Sequence, residues 1–518
     1  MMSPKILIVG AGPTGLNLAL RLAAHGVSFR IIEKSSGPGL ASRAMALHAR
    51  TLEFYDQLGF ADEIVALGQK LETIHVRDRG KEVAALKLND MGKGLSPYPF
   101  MLGFPQDDHE KFLVKKLEDQ GIAVEWNSEL VSFTQNDHCV SAKIDQATQE
   151  ETIEVAYMCG CDGARSKVRE GLGLGFQGGT YDHIYYVADV TLEGGENLEG
   201  LMSVNEKGFA LMMPVRSSGM KRLIGILPDR NEAEPKPTFD DVRPFSEPLL
   251  GIKVKEVNWF STYHAHHRVA EKFCRGRCFI LGDAGHIHSP TGGQGMNTGI
   301  GDAINLSWKL ALVIQGRADA SLLDTYEAER IVFARLLIST TDSAFRIIVS
   351  AGILGRIFRG FVLPVVLPFM MGFSRIRRMA FQVVSQTRLN YRGGALTDGN
   401  AGSIRAGDRL PWIVDGGKDN FMSLTSMEWQ VHVFSQPEAN LQTTCDKLGI
   451  DLHIFSLSDA AKSRGILNGT MILVRPDGYV AFATSTQGAP KLLNYFNKHK
   501  LQLKTEIDAT EKTKRSWA

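Results

Sequence analysis

Lys5-Ile6-Leu7-Ile8-Val9-Gly10-Ala11-Gly12-Pro13-Thr14-Gly15 decides the fold of this 518-residue chain. The apolar run through Val9 is what a strand buried on both faces requires. A helical pattern follows through Leu16, Leu18, Ala19, Leu22 and Ala23 to Gly26, and a second apolar run, Val27 to Ile32, ends at Glu33. The order is strand, G-x-G-x-x-G, helix, strand, acid. Gly10 permits the tight turn, Gly12 admits a pyrophosphate, Gly15 lets helix and strand pack closely, and Glu33 can accept from a ribose hydroxyl. An acid at that place would repel a 2′-phosphate, which favours NAD or FAD over NADP here.

The same spacing recurs at Gly173-Leu174-Gly175-Phe176-Gln177-Gly178, but it follows a polar, helix-like stretch, Ser166 to Glu170, and no apolar strand precedes it. It reads as a loop, and the chain as having one dinucleotide fold.

Farther out lies Gly282-Asp283-Ala284-Gly285-His286-Ile287-His288-Ser289-Pro290-Thr291-Gly292-Gly293-Gln294-Gly295-Met296-Asn297. The apolar run Cys278 to Leu281 delivers an acid, then a proline and a glycine-rich turn, and a helix should run from Thr298 to about Gln315. Such a turn lets backbone amides approach a ligand, and a helix start presents unpaired N–H groups with partial positive charge. That suits a planar cofactor that becomes anionic when reduced, a flavin, with Asp283 holding a polyol hydroxyl. Between the two ends, Gly160-Cys161-Asp162-Gly163-Ala164-Arg165-Ser166 follows an alternating strand pattern. Asp162-Gly163 makes a turn and Ser166 can cap a helix after it.

Together these three motifs resemble the single-component FAD-dependent aromatic hydroxylases, most closely the phenol 2-monooxygenase and polyketide-hydroxylase branch. The resemblance covers nearly the whole chain; Gly285 replaces the family's usual Ala. It implies that Gly10, Gly12 and Gly15 hold the FAD pyrophosphate, Glu33 the adenosine ribose, and Asp283 the ribityl chain. It further implies roles for Arg43 against flavin and nicotinamide, Gln106 near the ribityl chain, and Asp162 and Gly163 toward both nucleotides. Gly295 and the amides of Met296 and Asn297 would face the flavin's pyrimidine edge. Lys34 and Leu130 join the cofactor-binding set, and Pro290 lines the reaction site. Pro290 and Arg43 are the catalytic candidates. The implied chemistry is reduction of tightly bound FAD by transient NADPH or NADH, addition of O₂ to give a C4a-hydroperoxide, and oxygen transfer to an aromatic ring. Baeyer–Villiger oxidation or epoxidation uses the same peroxide and stays open. A flavin-bearing binding protein with a partner-recruiting tail is the reading from another class.

The net charge is +1, so no basic field serves nucleic acid. The six cysteines lack CxxC spacing and read as reduced thiols, and the first strand begins too early for a signal peptide, so a cytoplasmic enzyme is expected. His266-His267-Arg268 is no metal site, since adjacent strand residues point to opposite faces. The apolar segment from Gly360 to Phe373 is too short and proline-broken to span a membrane and reads as a buried packing or dimer segment.

The expected architecture is α/β: a Rossmann-like FAD-binding unit interrupted by a mainly antiparallel substrate sheet, then a tail. Residues 1–180 give the first part of the FAD unit, with a helix His109 to Gln120, a strand Ala123 to Trp126, a hairpin Val131 to Val155, and an excursion to the substrate side near 75–105. Residues 181–272 form the sheet, 273–345 return to the FAD unit, and 346–394 are a helical connector. Residues 395–518 resemble the thioredoxin-like domain of the phenol hydroxylase branch, without a Cys-x-x-Cys. Substrate-contact candidates are Tyr181, His183, Phe209, Met212, Met213 and His264.

Overall fold

The computed structural model describes residues 4–39, 44–78, 80–89, 91–146, 149–194, 199–205, 208–216, 219–227, 237–289, 291–349, 357, 361–362 and 365–503. Its first sheet has five strands in the order Cys274–Arg275, Cys278–Ile280, Tyr157–Gly160, Ile6–Val9, Phe29–Ile32. All but the edge strand Cys274–Arg275 run parallel. Ile6–Val9 is buried along its whole length, which is why its sequence is an unbroken apolar run. Register aligns Val9 with Gly160 and Gly160 with Ile280. The three distant motifs therefore leave the carboxyl edge of one sheet side by side, where ligands of open parallel sheets bind. Helix Pro13–Ala24 packs against helix Gly295–Ile314 beside that edge.

The second sheet has eight strands in the order His286–Ile287, Val254–Ala270, Phe176–Leu192, Lys221–Ile226, Gly208–Pro214, Gly200–Asn205, Thr73–Asp78, Lys81–Lys87. Its pairings are antiparallel except between Gly200–Asn205 and Thr73–Asp78. The hairpin 73–87 is the excursion toward the substrate side. Strand Phe176–Leu192 runs through the boundary expected at 180/181. The second glycine spacing, expected to be a loop, is so only in its first half: Phe176, Gln177 and Gly178 open that strand, and a Cβ on Gly178 would lie 1.8 Å from the His267 carbonyl oxygen, so this glycine serves close strand approach.

Some expectations need correcting. Val131 to Val155 is part of a three-stranded meander, Glu129–Gln135, Val140–Asp145 and Glu150–Val155, where a hairpin was expected. Ala123 to Trp126 forms only a bridge from Glu125 to Ile32, and Asn127 then turns the chain at φ 52°. The first long helix of that region begins three residues earlier, at Gln106–Glu118. Helix Phe239–Leu250 packs on one face of the large sheet although it contains Pro244 and Pro248. The apolar segment ending at Phe373 is not buried within the chain: Phe361, Val365, Phe369, Met370 and Phe373 are exposed. Gly360, Leu363 and Pro364 lie outside the described residues.

The tail carries a six-stranded sheet in the order Ile404–Arg405, Asp398–Ala401, Val480–Thr484, Met471–Val474, Gln430–Val433, Asp451–Ile454. Gln430–Val433 and Asp451–Ile454 are parallel and joined through helix Ala439–Leu448; Met471–Val474 and Val480–Thr484 form an antiparallel hairpin before helix Ala489–Lys498. The tail's core includes Trp308 and Leu312 of helix Gly295–Ile314 and Leu322 beyond it. Among the described residues no helix is long and apolar enough to cross a membrane.

Candidate functional site

Close packing of backbone builds the site. A Cβ on Gly10 would meet the Cys161 carbonyl oxygen at 2.4 Å, and one on Gly15 would meet the Gly10 oxygen at 2.0 Å. Around Gly12 a Cβ would meet nothing within 4 Å. Two of the three fingerprint glycines thus serve chain contacts, and the middle one faces open space where a pyrophosphate can approach. Thr14 completes the junction: a Cβ on Gly282 or on Gly299 would lie 2.5 Å or 2.4 Å from its hydroxyl oxygen. Gly282 also holds φ at +58°, a conformation that favours glycine.

Glu33 stands at the end of strand Phe29–Ile32. It accepts from the Ala11 amide at 3.0 Å and from the Ser35 amide and hydroxyl at 3.0 and 2.8 Å. Lys34 beside it is exposed. The Leu130 side chain is buried in the core, which leaves only its main chain to a ligand. Gln106 donates to Glu110 at 2.8 Å, and Glu110 accepts from the Gly39 amide at 2.8 Å.

One Asp162 oxygen accepts from the Val168 amide at 3.2 Å, while its Oδ1 is buried with no protein partner. Burial pushes this carboxyl above its usual range. A donor from a bound nucleotide would satisfy it. Ser166 caps helix Lys167–Gly171 as expected, accepting from the Arg169 amide. The Arg169 guanidinium donates to Ala164 O at 3.0 Å and Ala284 O at 3.1 Å, tying the Asp162 turn to the Asp283 turn. Sequence reasoning did not single out Arg169. Asp283 itself is exposed on the short helix Gly282–Ala284.

Asn297 carries more than a backbone amide. Its Oδ1 accepts from the His48 amide at 3.0 Å and the Thr51 hydroxyl at 2.7 Å. Its Nδ2 donates to Ala46 O at 2.8 Å and Gly293 O at 3.0 Å. The side chain therefore locks segment 46–51 onto the start of helix Gly295–Ile314, and leaves the amides of Gly295, Met296 and Asn297 at that helix start. His48 Nε2 lies 3.0 Å from Gly292 O, and burial lowers the ring's pKa to about 4, so it is a neutral strut. Arg43 and Pro290 lie outside the described residues.

Alternation divides the substrate candidates. Phe209, Leu211 and Met213 share one face of the large sheet with Ile224, Val187 and Tyr185. Met213 packs there with Met45, Leu71 and Val215, and Met101 lies partly buried against them. Met212 leaves the set: it is fully buried on the opposite face among Leu201, Ala210 and Leu223, beneath helix Phe239–Leu250. Tyr181 packs with Tyr185, Ala265 and Tyr263. His183 is half-buried and His264 exposed. Buried Asp189 pairs with Arg222 at 2.7 Å, and Arg222 reaches Ala44 O at 3.4 Å, so an ion pair roofs the junction between sheet and cofactor segment. The alternating pattern could have named Val187, Leu211 and Ile224 before the fold was known.

Comparison with known proteins agrees with this geometry. The FAD binding domain family matches residues 4–341. A 6-methylpretetramide 4-monooxygenase of Streptomyces rimosus is 32% identical over 94% of this chain and 92% of its own length. A pentachlorophenol 4-monooxygenase of Sphingobium chlorophenolicum is 30% identical over 78% of this chain and 75% of its own. The solved anhydrotetracycline hydroxylase OxyS of Streptomyces rimosus superposes with a TM-score of 0.77 at 25% identity, covering 97% of this chain and 100% of its own. The glycine fingerprint of this chain, its Asp162 and Asp283 turns, the family match and the likeness to the pretetramide monooxygenase over nine-tenths of both chains lead to one conclusion: the chain belongs to the FAD-dependent aromatic monooxygenases.

Proposed function

We propose that this protein hydroxylates a phenolic or polycyclic aromatic ring with NADPH or NADH and O₂, in the cytoplasm. The register that sets Gly10, Asp162 and Asp283 at one sheet edge, beside the apolar face of Met213, Leu211 and Ile224, carries this reading. The relatives that act on pentachlorophenol and on a polycyclic pretetramide support the substrate class. Bound FAD, once reduced, supplies the electrons that activate O₂ for insertion into the ring.

The chain's own part is to bind and orient. The Gly12 amide and the start of helix Pro13–Ala24 receive the pyrophosphate, Glu33 the ribose, Asp162 Oδ1 a nucleotide hydroxyl, and Asp283 the ribityl chain. The amides of Met296 and Asn297 stabilise negative charge on the reduced ring. Met213, Leu211, Val187 and Ile224 hold the substrate ring and exclude water. By resemblance Arg43 meets the nicotinamide nucleotide, and because guanidinium pairs with phosphate through two hydrogen bonds, NADPH is favoured over NADH.

The boundaries 1–180, 181–272, 273–345, 346–394 and 395–518 serve as the domain division, with the first moved to about 175 by the strand that crosses it. After four short strands between 398 and 419, the tail's β-α-β-α-β-β-α order from Gln430 on supports a thioredoxin-like fold without a redox pair. The exposed apolar surface near Phe369 and Phe373 suits a homodimer contact. Nucleotide consumption across phenols and polycyclic aromatics, scored for product mass and structure, tests the reaction. Consumption without any oxygenated product would overturn it. Stopped-flow reduction with both nucleotides tests the donor. Arg43→Ala should slow reduction more than it slows the oxygen reaction, and equal rates for both donors, unaffected by the substitution, would refute the preference.

A further inference from the structure

Asp302 sits on helix Gly295–Ile314 below the flavin-facing amides, and it is fully buried. Its Oδ2 accepts from the Gly282 amide at 3.0 Å and lies 2.7 Å from His286 Nε2. Its Oδ1 accepts from Arg330 Nε at 2.6 Å. Arg330 donates further to Thr298 O at 3.0 Å and the Tyr391 hydroxyl at 3.1 Å. Tyr326 and Cys161 lie near enough to feel its charge. Burial alone would raise the Asp302 pKa, but Arg330 and His286 outweigh it and keep the carboxylate ionised.

These bonds converge on the Asp302 carboxylate, which holds one backbone amide. Gly282 N–H opens the turn that presents Asp283, at a residue with positive φ wedged against Thr14. Arg330 ties the same carboxylate to Thr298 O, one residue after Asn297. One ionised group therefore spans the two backbone segments that meet the cofactor. A buried N–H whose acceptor is removed is left unpaired, and the turn relaxes to satisfy it elsewhere.

We propose that Asp302 is a positioning residue for FAD: clamped by Arg330 and His286, it fixes the Gly282–Asp283 turn so that Asp283 is presented to the cofactor. This rests on the assignment of Asp283 as a ribityl ligand. Asp302 touches no reacting atom and acts through the backbone of the Gly282–Asp283 turn.

The test measures FAD dissociation by flavin fluorescence and, separately, the melting temperature of the flavin-free protein. Asp302→Asn keeps the shape and removes the charge; its FAD dissociation constant should rise about tenfold or more. His286→Gln removes one contact and leaves the Arg330 pair; it should raise the constant about threefold with an unaltered flavin-free melting temperature. Asp283→Ala is measured alongside. If it binds FAD as the unaltered protein does, the assignment of Asp283 fails. If it binds weakly while both other variants bind normally, only the positioning role fails. A lower flavin-free melting temperature with unchanged FAD affinity would show a purely structural role and overturn the proposal. Should Asp302→Asn not fold, His286→Gln decides alone, and an unchanged constant refutes it.

Discussion

Helix Gly295–Ile314 has two ends in unlike surroundings. At its start, glycines, the first-turn amides and an exposed Asp283 leave room for a ligand. Toward its end, Asn305, Trp308 and Lys309 are buried against the tail and helix Asp324–Val349, and Lys309 is paired with Glu329. Arg475 there holds Glu329 at 2.6 and 3.0 Å and Asp477 at 3.0 and 2.6 Å. Lys309 donates to Glu329 at 2.9 Å and to Asn305 at 2.8 Å, and Asn305 donates to Glu329 at 2.6 Å. Arg50 reaches Asp477 O at 2.6 Å. The start of the helix is unfinished protein structure that a cofactor completes. The end is complete without one. One rigid rod thus lets the tail stabilise the chain while the chemistry stays at the other end.

The sharpest way to break that division is Arg475→Ala. It leaves Glu329 and Asp477 facing each other in the interior with less positive charge between them. Uncompensated buried charge costs about 3–5 kcal/mol. Thermal unfolding should show a loss of that size, while FAD affinity in the folded fraction changes little. A parallel loss of FAD affinity would mean the two ends cannot be separated.

Acid probes the same end. Burial would raise the Glu329 pKa, but Arg475 and Lys309 bring it from 4.5 down to about 2. A carboxylate depressed in the folded state stabilises above its unfolded value and loses that contribution as pH falls through the folded one. The window is therefore pH 4.5 to about 2, and the shift corresponds to about 3 kcal/mol. Melting temperature against pH should fall steeply in that window, and Glu329→Gln, less stable at neutral pH, should lose much of the slope. An identical slope in both proteins would place the acid sensitivity elsewhere.

Much of the flavin end was legible because backbone demands leave marks on sequence. Gly10, Gly15 and Gly282 sit where a Cβ has no room, and Asp283 follows a strand whose apolar run is plain, whereas the alternation before Asp162 spans two strands of different sheets. Alternation likewise marks strands Gly208–Pro214 and Lys221–Ile226 of the large sheet, but Phe176–Leu192 begins before the boundary expected at 180/181. The other end was not legible. Glu329 and Arg475 pair across 146 positions, and a buried charge reads like a surface one until its partner is placed; Asp302 and Arg330, 28 positions apart nearer the flavin, were hidden for the same reason. Met212 failed for a related reason: neighbours in a strand share composition but face opposite sides, and only the packed helix Phe239–Leu250 says which side is core. That helix carries two prolines, which mask it in any propensity reading.

Cys445 offers the smallest and cleanest test of the comparison. It lies fully buried on helix Ala439–Leu448, in the apolar cluster with Trp429, Leu441 and Ile450. Burial pushes its thiol up to about 12, with Asp446 adding to the effect, so it carries no thiolate at neutral pH and has no nucleophile to offer. Cys445→Ser places a hydroxyl where a small apolar group packed, at a cost of about 1–3 kcal/mol. Thermal unfolding should register that cost. Flavin reduction and product formation, measured well below the unfolding transition, should match the unaltered protein. A drop in hydroxylation with the fold intact would assign chemistry to the tail, and the two ends of the helix would then no longer divide stability from function.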